Sequence, residues 1–244
     1  MYSRSMPTRS SLRVSLRLAL VAASALVLTF AQPAARAQQV LGGIGTPFKD
    51  TSIITKAVAD APAGHKVVLI EFEDLECPAC AHAAPIVKTA LDNYKIRFDR
   101  HDFLIQSHTW SRQGAIIARY LQDKVSPELA EQYRRDVFAA QNQIASPDDL
   151  QTFTARWFAA HKLQMPFVID PNGLFAAEVQ ADVRMGERLG LNETPTLIVA
   201  GPKGWIQVKN VTELYTAIDT VKAQVPAPST VHGTLKKPSA SNLH

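Results

Sequence analysis

The sequence predicts an α/β fold in which two halves of one sheet are separated by a helical segment. Three observations carry this expectation. Residues 67–70, Val-Val-Leu-Ile, form an apolar run with no polar alternation, as in a strand covered on both faces. From residue 109 to 191 the apolar period changes from two to about 3.6. Beyond that segment, Thr194-Pro195-Thr196 leads into a second apolar run, and Trp205-Ile-Gln-Val208 is spaced as its hairpin partner. The order is therefore β-α-β, about 80 helical residues, then β-β-α. A helix-only piece inserts easily at a surface loop.

Taken in order, residues 38–50 are a mixed lead-in with Gly42-Gly43 and Thr46-Pro47. Residues 52–60 read as a short helix closed by Ala61-Pro62-Ala63-Gly64, and residues 66–73 as the first strand. Pro78 suits the first turn of a helix, where its missing N–H costs nothing, and Ile86, Val87, Ala90 and Leu91 carry that helix to about Asn93. Residues 96–104 alternate well enough for a second strand. In the helical segment, Ala115, Ile116, Ala118, Arg119, Tyr120 and Leu121 make one helix. Ser126-Pro127 and Ser146-Pro147 start two more, each with serine as cap and proline at the first position. A last helix runs through Val179, Val183, Met185 and Leu189 and stops at Gly190. Residues 211–224 close the fold as an amphipathic helix with Leu214, Ala217, Ile218 and Val221 on one face. Residues 226–244, rich in Pro, Ser, Lys and Thr, are expected to be a disordered tail.

Residues 1–37 read as an export signal. Four arginines precede an apolar run of about 14 residues, shorter than the roughly 20 that span a bilayer, and Ala35-Arg36-Ala37 supplies a small-x-small cleavage site. An uncleaved anchor and a mitochondrial transit peptide are the alternatives. Cleavage near Ala37 implies a periplasmic or secreted protein of about 207 residues. The signal holds five arginines and no acid, so the chain's 26 basic and 22 acidic groups become 21 and 22 without it. The basic isoelectric point thus belongs to the signal, and nothing argues for nucleic acid as a partner.

The chain has two cysteines, in Cys77-Pro-Ala-Cys80. That is too few for a disulfide-stapled mini-protein, and a chain this long buries its own core. As a crosslink the pair closes so small a loop that it adds little stability; in an oxidising compartment it is better explained by redox chemistry. Cys77 falls at the N-terminus of the helix that begins at Pro78, where unpaired N–H groups and the helix dipole favour the thiolate. Cys80, three residues on, lies on the same side and deeper, placed to resolve a mixed disulfide formed at Cys77. Zinc is the rival reading, but a structural site needs about four ligands and no second Cys pair or His-x₃₋₅-His is present. No metal and no cofactor beyond the redox-active Cys77–Cys80 disulfide are expected.

Glu71 stands in the apolar strand, six residues before Cys77. Pointing beneath the helix toward Cys80, it would be desolvated, with a raised pKa, and able to exchange the proton of the buried thiol; on an accessible strand end it would only solubilise. His82 either faces solvent or tunes the pair, and His108 is expected to cap the helix beginning near Trp110. Trp110, Trp157 and Trp205 read as core or rim packing. Met165 and Met185 are too few for a copper site.

A strand with an acid six residues before Cys-Pro-x-Cys, a helix carrying Pro85, and a later Thr194-Pro195 before a strand together resemble the thioredoxin fold. More specifically, the chain is similar to the DsbA-like thiol–disulfide oxidoreductases. Phe103-Leu104 with His108 and Ala115 resembles their stretch at the entrance to a helical insertion, and residues 181–196 the stretch at its exit. The resemblance runs from about Gly45 to Gln224. It implies a central mixed sheet flanked by helices, with divisions at 38–106, 107–190 for the insertion, and 191–225. It also implies a nucleophile at Cys77, a resolving thiol at Cys80, and a cis-proline at Pro195. Substrate peptide would pair with backbone near Thr194.

The departures concern direction. Ala79 stands where DsbA itself has histidine. Glu76 directly precedes Cys77, with Glu73 and Asp74 close by, and these charges are expected to raise the thiol pKa and make the disulfide less oxidising. The helix N-terminus and Pro78 act the other way. Thr194 before the proline resembles the isomerase and reductase branch. The reading is an exported protein disulfide oxidoreductase working as a dithiol oxidase on thiol-bearing protein or peptide substrates. A membrane redox partner, DsbB-like or equivalent, would reoxidise it. A reductase or isomerase of the same fold, or a non-catalytic peptide-binding protein, is the alternative. A monomer is expected.

Overall fold

The structure, a computed structural model, describes residues 48–225. The expected signal at 1–37 and tail at 226–244 lie outside them. The elements are α1 (Ser52–Asp60), β1 (Val68–Glu73), α2 (Pro78–Tyr94), β2 (Arg97–Asp102), α3 (Ser111–Lys124), α4 (Pro127–Ala140), α5 (Pro147–Ala160), α6 (Leu174–Leu189), β3 (Thr196–Gly201), β4 (Gly204–Val208) and α7 (Leu214–Lys222). Short 3₁₀ turns follow α4 at Gln141–Gln143 and precede α7 at Val211–Glu213.

The strands lie in the order β2-β1-β3-β4. β1 and β2 are parallel, a pairing that needs a crossover, and α2 supplies it. β1–β3 and β3–β4 are antiparallel. The sheet is therefore mixed, with β1 central. Every residue of β1 is buried, as its unbroken apolar run requires. Val68, Ile70 and Phe72 pack with Ile54 and Ala57 of α1, Phe103, and Leu189 of α6. Leu69 turns to the other face, with Val87 and Ala90 of α2 and Leu214 and Ile218 of α7. By the period of two, Glu71 and Glu73 share that second face.

The four helices α3 to α6 lie between β2 and β3 in the chain; α3, α4 and α5 share their own core, including Ile117, Leu121, Tyr133, Val137, Leu150 and Phe158, whereas α6 packs Met185 and Leu189 against the sheet. The serine caps form as expected: Ser126 Oγ accepts from Leu129 N at 3.1 Å, and Ser146 Oγ from Asp149 N at 3.2 Å. Gly190 ends α6 with φ of 84°, a conformation that favours glycine. The core of these helices is continuous with Leu75, Cys77 and Cys80, so the segment covers the loop after β1.

Buried charge fixes how the helices meet the sheet. Arg134 of α4 donates to Glu73 of β1 at 2.9 Å and to Asp102 of β2 at 2.8 Å. Arg119 of α3 donates to Asp102 at 2.9 Å and also to Asp182 of α6. Burial alone would push the Asp102 carboxyl up, but Arg134 and Arg119 outweigh it and hold it at about 2. Such a network gives little net stability over an apolar equivalent of the same shape, but removing one partner leaves a buried charge unpaired.

Candidate active site

Residues 74–77 connect β1 to α2 and include Cys77. Cys77 N donates to Asp74 O at 3.0 Å, which closes a tight turn. Cys77 is then the N-cap residue of α2 and Pro78 its first helical residue. Cys77 is 8% exposed and Cys80 1%, and both are free thiols. Pro78 and Ala79, between the two cysteines, are exposed. Pro85 lies inside α2, and the helix continues through it.

Across from Cys77 stands the start of β3. The Thr194–Pro195 peptide bond is cis, and Cys77 Sγ donates to Thr194 O at 3.3 Å. The structure thus brings Cys77, Cys80, Thr194 and Pro195 into one place.

The Cys77 thiol is held down at about 5. The hydrogen bond from the Cys80 thiol contributes most; burial opposes it; the Thr194 side chain and the N–H groups of Cys80 and Ala79 lower it further. The Thr194 hydroxyl is buried and has no other partner among the described residues, so it can donate to a thiolate. Cys80 is pushed up, chiefly by burial and then by its bond to Cys77. The surroundings thus favour the thiolate form of Cys77 and the protonated form of Cys80.

The acids around the pair are not loose charges, which corrects the expectation that they would raise the Cys77 thiol. The Glu76 carboxylate turns away and accepts from Trp110 N at 2.6 Å and Ser111 N at 3.0 Å. Glu76, rather than His108, therefore caps α3. His108 Nδ1 instead lies 2.9 Å from Asp74 Oδ2, which also accepts from Ile105 N at 2.8 Å. Asp74 Oδ1 accepts from Glu76 N at 2.8 Å. Asp74 N donates to Cys80 Sγ at 3.4 Å. Glu73 is ion-paired with Arg134, and with Arg100 at 3.1 Å. Each carboxylate has N–H donors that offset its charge.

Glu71 is buried at 2% exposure. It lines a cavity of about 60 Å³ with Ala84, Val87, Arg100, Glu131 and Arg134, a space large enough to admit water. Ala84 lies one helical turn beyond Cys80. Burial first, and then the charge of Glu73, raise the Glu71 carboxyl to about 8, against lowering by Arg100 and Arg134. The accessible strand-end alternative for Glu71 does not hold. His82 is exposed. Sequence reasoning missed Arg134 and Gln141, which act across 61 residues or more and leave no local pattern. Among the described residues there is no group of three or more His, Cys, Asp or Glu able to hold a metal, and no helix long and apolar enough to cross a membrane.

This sheet order, a reactive Cys77 at a helix start and a facing cis-proline define a thioredoxin-type site. The family model described as Thioredoxin matches residues 61–220, and the chain belongs to that family. Among solved structures the chain is similar to DsbA2 of Pseudomonas aeruginosa, at 19% identity and a TM-score of 0.50 over 65% of this chain and 90% of that one. It is also similar to alpha-DsbA1 of Wolbachia pipientis, at 16% identity and a TM-score of 0.53 over 64% and 86%. BdbD of Bacillus subtilis matches at 19% and 0.50 over 67% and 89%. The fold is thus a thioredoxin fold with the helical insertion of DsbA-type proteins. None of the curated proteins matches the sequence.

Proposed function

We propose that the protein is an exported thiol–disulfide oxidoreductase that oxidises protein dithiols. The observation that carries this is the thiolate preference of Cys77 at the start of α2, beside a Cys80 that stays protonated. A stabilised thiolate favours the reduced pair, and so makes the Cys77–Cys80 disulfide a stronger oxidant. DsbA-type relatives in fold support the same reading.

A substrate thiolate attacks Cys77 Sγ of the disulfide, forming a mixed disulfide and releasing Cys80 as thiolate. The second substrate thiolate attacks the substrate sulfur of that mixed disulfide, which forms the substrate disulfide and expels the Cys77 thiolate. Two electrons pass from substrate to the pair. Cys80 takes up a proton, and Glu71, protonated near neutral pH on the strand that leads to the Cys77 loop, is the source this reading assigns. Substrate backbone pairs beside Thr194 and Pro195. A membrane disulfide donor of the DsbB type removes the electrons, and the protein works as a periplasmic or secreted monomer.

The test is equilibration of the mature protein with glutathione redox buffers, reading the Cys77–Cys80 disulfide by mass. A potential toward about −120 mV supports the oxidase. One toward about −270 mV makes the protein a reductase. No exchange would refute both.

A further inference from the structure

The loop that delivers the nucleophile, residues 74–77, is gripped at every residue by the helical insertion or the stretch leading into it. Asp74 is held by Ile105 N and His108, and Glu76 by Trp110 N and Ser111 N. Leu75 and Cys77 are held through their carbonyl oxygens by a single side chain. Gln141 Nε2 donates to Leu75 O at 2.7 Å and to Cys77 O at 3.0 Å. Gln141 stands just past the end of α4, 64 residues from Cys77.

We propose that Gln141 is a positioning residue for thiol–disulfide exchange at Cys77, so that the middle of the helical insertion is part of the active site. The inference rests on the reading of Cys77 as the nucleophile. An amide NH₂ has two hydrogens, and here both point at carbonyls of one loop. Those carbonyls are two residues apart, so holding both fixes the loop's curvature. Cys77 O also accepts from Ala81 N at 3.1 Å, the first hydrogen bond of α2. Fixing that oxygen therefore fixes the first helical turn, whose Ala79 and Cys80 N–H groups lower the Cys77 thiol. A donor on each carbonyl also draws off the negative charge that the loop would otherwise present to a thiolate.

The test uses Gln141→Met, which keeps length and volume but donates nothing, with Gln141→Ala and Gln141→Glu beside it. Folding is checked by circular dichroism, thiolate absorbance of the reduced protein is followed against pH, and the glutathione equilibrium is read by mass. The Met and Ala variants are expected to fold and to move the thiolate midpoint up by about one pH unit. They should shift the equilibrium about tenfold, about 30 mV, toward the reducing side. The Glu variant should shift furthest, because its carboxylate faces the carbonyls. Folded Met and Ala variants with midpoint and equilibrium within about twofold of the parent would overturn the proposal. So would loss of the fold in all three, since Gln141 would then be only structural. A parent that does not exchange with glutathione would refute the exchange reading instead, while the absorbance titration still decides whether Gln141 acts on Cys77.

Discussion

The Sγ of Cys77 donates to the carbonyl oxygen of Thr194 across 3.3 Å. This contact joins the loop after β1 to the residue before the cis-proline, so the proposed nucleophile rests against the backbone where substrate is proposed to pair. In the thiol form the carbonyl is the partner; in the thiolate form only donors remain useful, and the Thr194 hydroxyl is one.

Alkylation of reduced Cys77 by iodoacetamide should be nearly flat with pH above about 6 and fall about tenfold per unit below about 5. The linkage has a definite sign. The folded thiol lies below its unfolded value of about 8.5, so the thiolate's contribution to stability is fully present above that value and is lost as pH falls toward 5. The advantage in thermal midpoint of the reduced over the oxidised protein should shrink from pH 8 to pH 4.5. A gap that stays constant across that range would contradict a low Cys77 value.

Glu71 gives the opposite slope. Its folded value near 8, raised by burial and then by Glu73, lies above an unfolded value of about 4.3. The group therefore costs stability increasingly as pH rises from about 4.3 to 8. Glu71→Gln should stabilise by on the order of 4 kcal/mol at pH 7.5 relative to its effect at pH 4, measured by urea unfolding. The same variant should slow exchange by about tenfold at neutral pH if Glu71 handles the Cys80 proton.

Glu76→Ala separates capping from redox tuning. Loss of the carboxylate on Trp110 N and Ser111 N should cost about 1 kcal/mol of stability. The thiolate midpoint of Cys77 should move by less than about half a unit, since the charge it loses is already offset by those N–H groups. A larger downward shift would restore Glu76 as a tuner of the pair.

Arg134→Met leaves Glu73 and Asp102 buried without their shared partner. The cost should be about 3–5 kcal/mol by denaturant unfolding. Replacing Glu73, Asp102 and Arg134 together with apolar residues of similar volume should recover much of that loss. A mild effect of the single variant would mean that Arg100 and Arg119 suffice.

Much of the frame is legible in the sequence because it is written in local chemistry. The apolar run of β1, the Ser-Pro starts of α4 and α5, Gly190 after α6, and Pro78 after Cys77 each act within a few residues. Their outcomes follow from burial, capping and the φ that each residue tolerates. The placing of Cys77 at a helix start is of this kind, and so is the position of Glu71 within a buried strand.

Where the side chains of Glu73, Asp74 and Glu76 turn was not legible, and only the tertiary structure decided it. By sequence they are a cluster of like charges beside a thiol. In the fold each meets N–H donors 31 or more residues away: Arg134 for Glu73, Ile105 and His108 for Asp74, and Trp110 and Ser111 for Glu76. A charge's effect depends on what lies within a few ångströms of it, and sequence spacing does not report that distance. The chain by itself determined where the two cysteines and Glu71 stand in the fold; the packing of the helical insertion decided what surrounds them.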